Sequence, residues 1–369
     1  MKCFYPLLGI LIVCISCSFG QHVEIPDPNL AEAVREALGL RQNAPIPKEN
    51  LMALKTLSAP QRYIIDLTGL EEATGLTSLE LDKNEIEDIT PLVGLMQLTD
   101  LNLRSNPIRD ITPVAKLTQL TKLQIGGDLI QDITPLAGLT KLTELSISGK
   151  QVTDITPVNG LTQLTTLSVS FSQVSDITPI TKLTQLKFLI LAHNQIRDIT
   201  PLTELKQLNR LWLVSNQISD ITPLAEMPQL TVLLIAFNQI SNITPLAGLT
   251  ELTQLSLEYN QISDITPLAE LTRLRSLGLG HNQIEDITPL TEMTQLTRLG
   301  LEANQIRDIS VVENFKNLRN LNISQNLIQD MAPINRLRKQ ITVEVQTQPR
   351  HRSRQDPRLG VDPPPQDDR

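Results

Sequence analysis

Apolar and polar positions alternate along most of this chain in one fixed order. In LKQLNRLWLVSNQISDITPLAE, residues 205–226, the inner set is marked by Leu208, Leu211, Leu213 and Ile218, with Asn216 among them. Leu211 and Leu213 are two apart, so they share one face of a short strand. Apolar side chains of one such unit cannot be hidden within that unit. Stacked neighbours hide them, and the strands then pair side by side. Asn216 follows the strand, where the chain must turn. Its amide can bond backbone groups of its own unit and the adjacent one, which predicts a ladder of asparagines. Asp220-Ile221-Thr222-Pro223-Leu224 comes next. Thr before Pro predicts a helix N-cap and first helical position, in a turn with room only for a 3₁₀ helix.

The unit repeats every 22 residues. Asp88, Asp110, Asp132, Asp154, Asp176, Asp198, Asp220, Asp264, Asp286, Asp308 and Asp330 share that register, interrupted only by Asn242. This period with an LxxLxLxxNxI pattern predicts a leucine-rich repeat horseshoe or arc. It is an α/β repeat solenoid with a parallel concave β-sheet and short 3₁₀ turns on the convex side. In-register carboxylates also fit a calcium ladder. No glycine-rich nonapeptide loop accompanies them, so each Asp is expected to cap its own turn.

Along the chain, residues 1–20 read as a signal peptide, 21–60 as a helical cap, 61–345 as the repeat array and 346–369 as a disordered tail. In the cap, Leu30, Ala33, Val34, Ala37 and Leu38 keep helical spacing, with Asn29 as expected N-cap and Gly39 as stop. A second helix is expected from Pro47, carrying Leu51, Leu54 and Leu57. Residues 63–80 form a degenerate leading repeat in which Arg62 takes the asparagine position. Twelve repeats follow, with that position at 84 and every 22 residues to 326, and ITVEV is expected as a last edge strand. The asparagine column fails at Asp128, Lys150 and Ser172, beside Gly126, Gly127 and Gly149. A locally altered turn of lower stability is expected there.

The leader MKCFYPLLGILIVCISCSFG has Lys2, an apolar run from Leu7 to Ile15 and small residues Ser18 and Gly20 before Gln21. It reads as a secretory signal, too short to span a membrane. Cys17 offers a second address, by lipidation. All three cysteines (Cys3, Cys14, Cys17) lie in this leader, so no disulfide is expected in the mature chain. The tail, rich in Pro, Arg and Asp, cannot bury a core. The net charge of −8 argues against nucleic acid as a partner.

The units LTxLxxLxLxxNQIxDITPLxxLT resemble those of internalins and related secreted bacterial leucine-rich repeat proteins. PDPNLAEAVREAL resembles their leading helical cap. The resemblance covers residues 24 to about 345. It implies a curved scaffold that binds macromolecules on its concave sheet, and bacterial origin. No LPxTG-like signal is present, so covalent wall attachment is not expected.

Outward positions locate the expected partner surface. The column of Arg210 holds Phe188 and Val232, and the column of Trp212 holds Ile190 and Leu234. Val214 and Glu258 share a third column. The column of Ser215 holds Phe171, His193, Phe237, Tyr259 and His281. Seven aromatic residues lie beyond position 20, and five of them, Phe171, Phe188, Trp212, Phe237 and Tyr259, fall on this surface. An apolar patch with a polar rim marks an interaction site. Arg210, Glu258, Arg298 and Glu302 supply that rim. The alternative is that the rings merely pack on one another. His193 and His281, roughly 19 Å apart by strand spacing, cannot share a metal.

No HExxH, GxSxG, phosphate-binding or dinucleotide motif occurs. Carboxylates in repeated columns share one environment, whereas an acid–base pair needs two. No catalytic residue, cofactor or metal is expected. The expected function is a non-enzymatic, monomeric scaffold docking a protein, with a glycan as second choice. A structural or assembly component of the cell envelope is the alternative.

Overall fold

The computed structural model describes residues 21–337 and 342–344. The segment expected to be a signal peptide and the expected tail lie outside the described residues. The chain divides into two compact units, residues 1–164 and 165–369.

The first unit opens with strand β1 (His22–Val23), helix α1 (Pro28–Ala37), strand β2 (Ile46–Pro47) and helix α2 (Lys48–Ala53). β1 and β2 pair antiparallel. α1 buries Leu30, Ala31, Ala33 and Val34. Its N-cap is Asp27, not Asn29. Asp27 Oδ1 accepts from the backbone N–H of Asn29 and Leu30, both at 2.9 Å. Oδ2 accepts from the backbone N–H of Ile65 at 2.8 Å. One carboxylate therefore caps the helix and fastens it to the first coil, while Asn29 lies inside the helix and donates its Nδ2 to Tyr63 O at 3.3 Å. Gly39, at φ 66°, stops the helix in the left-handed region.

α2 is shorter than its sequence spacing implied, because Leu57 belongs to a strand. β3 (Thr56–Ser58), β4 (Ser78–Glu80), β5 (Asp100–Arg104), β6 (Lys122–Gly126) and β7 (Glu144–Ser148) form a parallel ladder in sequence order. Thr56 pairs with Ser78 and Ser78 with Asp100. The repeat register thus begins one unit ahead of the first repeat recognised in the sequence.

The second unit is built of the same kind of coil. Its parallel strands are β8 (Thr166–Ser170), β9 (Phe188–Ile190), β10 (Arg210–Trp212), β11 (Val232–Leu234), β12 (Gln254–Ser256), β13 (Ser276–Gly278), β14 (Arg298–Gly300) and β15 (Asn320–Asn322). Helix α3 (Ala332–Leu337) follows, and β16 (Thr342–Glu344) pairs with β15. Across from the strands, each coil makes a short 3₁₀ turn such as Thr222–Glu226.

The core is deeper than the four marker positions suggested. In one coil, Leu205, Leu208, Leu211, Leu213, Ile218, Ile221 and Leu224 are each at most 1% exposed. Full burial of each is worth roughly 1.5–3 kcal/mol. Shape alone does not fix the stacking of identical leucine rows; directional bonds do. Asn216 Nδ2 donates to Leu213 O of its own coil at 3.0 Å and to Leu191 O of the preceding coil at 2.9 Å. Its Oδ1 accepts from Ile196 N–H of that preceding coil at 3.0 Å. Asn84, Asn106, Asn194, Asn238, Asn260, Asn282, Asn304 and Asn326 repeat the donor half of this pattern.

The Asp column caps turns, but not through Thr as N-cap. Thr222 is the first residue inside the 3₁₀ turn, and Asp220 Oδ1 accepts from both its backbone N–H, at 2.8 Å, and its hydroxyl, at 2.6 Å. Those hydrogen bonds, the Thr hydroxyl's first and its amide's second, hold the carboxyls of Asp132 and Asp220 below the ordinary range. Asp110, Asp176, Asp198 and Asp264 are lowered by their own Thr partners, and Asp308 by Ser310.

The altered turns expected near Gly127 and Gly149 are present, but the one expected at Ser172 is not: Phe171 before it keeps the regular left-handed conformation, φ 54°. Elsewhere the residue before the asparagine position is left-handed, as at Lys83 (φ 57°) and Ser105 (φ 55°), but neither Gly127 nor Gly149 is. The ladder runs longer there, and Gly127 N–H donates to Ser148 O at 3.0 Å. A Cβ on Gly127 would lie 2.1 Å from Asn106 O, so glycine is required for the close approach. Without asparagine, Ile130 N–H turns back to Gly127 O and Val152 N–H to Gly149 O. Lys150 and Asp128 form an exposed ion pair at 2.6 Å, a weak substitute for a buried amide.

Three outcomes follow. Asn216→Ala leaves Ile196 N–H and two carbonyls without their partner and should cost about 2–4 kcal/mol in urea unfolding, against under about 0.5 for Lys150→Ala. Equal effects would remove the amide ladder as the main directional tie. Amides of residues 127–152 should exchange faster than those of 205–226, and uniform protection would contradict this. The lowered Asp carboxyls stabilise the fold above the ordinary Asp value near 3.9. That stability drains as pH falls through their depressed native values, so the melting temperature should hold at neutral pH and drop in acid. A melting temperature that rose on acidification would refute it.

Candidate interaction surface

Each residue expected at the partner surface points away from the leucine core. Arg210, His193, Phe171, Phe237 and Tyr259 are exposed, and Phe188, Ile190, Trp212, Val214, Val232, Leu234, Glu258 and His281 are half-buried. All belong to the second unit. The parallel register brings them together by columns. Phe188, Arg210 and Val232 are cross-strand neighbours, as are Ile190, Trp212 and Leu234. Phe188 meets Trp212 edge to face at 5.2 Å. The indole N–H of Trp212 is shielded and has no acceptor among the described residues. Trp212 therefore serves this surface through its ring, and its N–H carries an unoffset desolvation cost.

The column of Ser215 behaves differently. It lies just past the strand, in the left-handed turn before the ladder asparagine. Phe171, His193, Phe237, Tyr259 and His281 have φ between 53° and 57°. Positive φ is a genuine outlier for bulky residues. In this turn the rings lie face to face. Phe171 stacks on His193 at 4.3 Å, Phe237 on Tyr259 at 4.1 Å and Tyr259 on His281 at 3.9 Å, with interplanar angles of 10–13°. The surface thus holds two ring stacks separated at Ser215, beside an apolar strand patch. The sequence signal was a ring immediately before the ladder asparagine, recurring at the repeat period; the left-handed backbone that aligns the rings was not read from it.

The expected polar rim is an arrangement of carboxylates lying on glycines. Ser256 donates its hydroxyl to Glu258 in a short hydrogen bond. A Cβ on Gly278 would collide with the Glu258 carboxylate, and one on Gly280 with that of Glu302. Glu302 Oε2 is shielded without a hydrogen-bond donor among the described residues. Beside them lies a depression of about 260 Å³ lined by Glu258, Arg298, Asn320, Asn322 and the floor glycines Gly278 and Gly300. Arg210 is on the same face, four strands from Arg298. The two histidines occupy different stacks, and no group of three His, Cys, Asp or Glu side chains able to hold a metal occurs among the described residues. No helix among the described residues is long and apolar enough to cross a membrane.

The model for leucine-rich repeats in two copies matches residues 140–182, 184–226, 228–270, 252–292 and 272–314. A search of curated proteins found no match. Among solved structures, the chain is similar to the internalin InlF of Listeria monocytogenes, with 39% identity and a TM-score of 0.81 over 88% of this chain and 96% of that one. It is similar to the functional domain of InlJ from Listeria monocytogenes, which includes a cysteine ladder, with 25% identity and a TM-score of 0.62 over 85% and 79% of the two chains. It is similar to a leucine-rich repeat protein of Leptospira interrogans, with 25% identity and a TM-score of 0.67 over 75% and 74%. No cysteine occurs after Cys17 here; asparagine amides make the ladder instead. Repeat pattern, coil geometry and the InlF match agree: the chain belongs to the internalin family of leucine-rich repeat proteins.

Proposed function

We propose that this protein is a non-enzymatic, monomeric scaffold, secreted or held at the cell surface, that docks a protein on the outward face of β8–β12. The segment ahead of β3, from β1 to α2, serves as its cap, and Lys2 with the apolar run Leu7–Ile15 as its export signal. The observation that carries the reading is the ring display. Phe171, Phe237 and Tyr259 are 59%, 46% and 43% exposed, although rings are the residues that gain most from burial.

Stability alone does not account for them. Each left-handed bulky residue costs on the order of 1 kcal/mol or more. Each stacked contact returns about 0.5–1.5 kcal/mol. Five such residues share three stacked contacts, so the stacks at best offset the backbone. Asn or Gly would serve the turn better. Rings left exposed at net cost suit an interface core, where aromatic side chains carry most of the affinity. Arg210 and the Glu258–Arg298 region supply polar groups around it. A glycan is the second choice of ligand on the same rings.

The test uses the full chain as bait against extracts of candidate host or neighbouring cells, with the captured protein then measured by calorimetry. Trp212→Ala and Phe237→Ala should each weaken that complex by about 2–4 kcal/mol and move the melting temperature little. Loss of melting temperature in proportion to loss of binding would show that the rings only support the sheet.

A further inference from the structure

The two ring stacks face each other across one coil. Phe171 covers one face of His193, and Tyr259 covers one face of Phe237. Adjacent rings are nearly parallel, so their normals run along the stacking direction of the coils. The free face of His193 and the free face of Phe237 are therefore both turned toward the coil between them, which carries Ser215. The backbone does not change there. φ is 56° at His193, 55° at Ser215 and 57° at Phe237. His193 N–H donates to Val214 O at 2.8 Å, Ser215 N–H to Ala236 O at 3.0 Å and Phe237 N–H to Glu258 O at 2.9 Å. Only a side chain is missing, not a coil.

Two strand spacings separate the flanking rings, roughly 8–10 Å. Rings within the stacks sit 3.9–4.3 Å apart. The space admits one flat group, in face contact with both walls, over the half-buried floor of Ser215 and Val214. The column itself stacks rings at this spacing, Phe171 on His193 and Tyr259 on both Phe237 and His281. Arg210 stands on the same face of this coil. It lies five residues before Ser215, roughly 16 Å along the strand, too far to set the charge of the gap. The walls are flat ring faces, so an aromatic ring makes face contact on both sides.

We infer that the gap over Ser215 is a binding slot for one aromatic side chain, Phe, Tyr or Trp, of the protein partner. Inserted there, it joins the two stacks into one continuous column from Phe171 to His281. This rests on the docking reading above and adds which partner group is read and where.

N-acetyltryptophanamide at roughly millimolar concentration, the range of a single weak contact, is titrated into the full chain while the ring protons of His193 and His281 are followed by NMR. The His193 signals should move upfield in the wild type and stay fixed in Ser215→Tyr, whose own ring fills the slot. His281, with Ala303 on its outer side, reports on capping of the stack end in both proteins. No movement of His193 in the wild type overturns the slot without any variant being needed. Equal movement in Ser215→Tyr overturns it as well. A larger His193 shift with N-acetylargininamide or glucose assigns the gap to another chemistry and overturns the aromatic assignment.

The protein partner separates this inference from the docking reading. Ser215→Tyr should weaken the complex at least about tenfold, and Ser215→Ala less than about twofold. A partner lost by Trp212→Ala but kept by Ser215→Tyr removes the slot alone. A partner kept at full strength by Trp212→Ala removes the docking reading and leaves the titration to decide the slot.

Discussion

A buried asparagine amide, shared between two turns of the chain, is the constraint on which the rest of the structure depends. Burying leucine drives the coils together but does not choose how they align, because one leucine row resembles the next. The amide does choose. In Asn216 it joins Leu191 O, Leu213 O and Ile196 N–H, and only one offset between neighbouring coils satisfies all three. Aspartate lacks the donors and lysine lacks the acceptor. Where those residues stand, at Asp128 and Lys150, the backbone bonds to itself and the turn changes.

The same constraint shapes the outer face. To reach both coils, the asparagine must follow a tight reversal, and the residue before it is driven into the left-handed region. That residue then projects from the sheet at the same angle in every regular coil. No β-branched residue occupies the column, which runs Lys83, Ser105, Gly127, Gly149, Phe171, His193, Ser215, Phe237, Tyr259, His281, Ala303 and Gln325. β-branched side chains are least able to adopt positive φ. Rings can adopt it at some cost, and once there they are aligned by the coil rather than by their own packing. Recognition chemistry is therefore written in a column whose geometry is set by a different column.

The fold was legible because its signals are redundant. A single misplaced leucine changes little when a dozen copies vote for the same register. Single-copy features were less visible. The switch of N-cap from Asn29 to Asp27 depends on contacts with Ile65 and Asp66, far along the chain. The first strand was hidden because Leu57 satisfies helical spacing and strand register at once. At the surface, the outward columns were readable from the two-residue period of the strands, so each expected side chain does face outward. The stacking of the rings in the column of Ser215 was not readable. It depends on a turn conformation that lies outside the strand period.

This division of labour also explains how one array tolerates such uneven outer columns. Inner residues are each fully buried and near-identical, so stability is set coil by coil and is roughly additive. An outer substitution changes no leucine contact and breaks no amide bond. Phe188, Trp212 and Val232 can therefore replace the polar residues found at matching positions elsewhere without disturbing the registers at Arg210–Val232 or Arg210–Phe188. The limit on such change is the exposed apolar area it creates. Clustering the rings over a few consecutive coils, with Arg210 at their middle and the Glu258–Arg298 region at one side, keeps that area confined. Such confinement favours one bounded contact over general adhesion along the whole array.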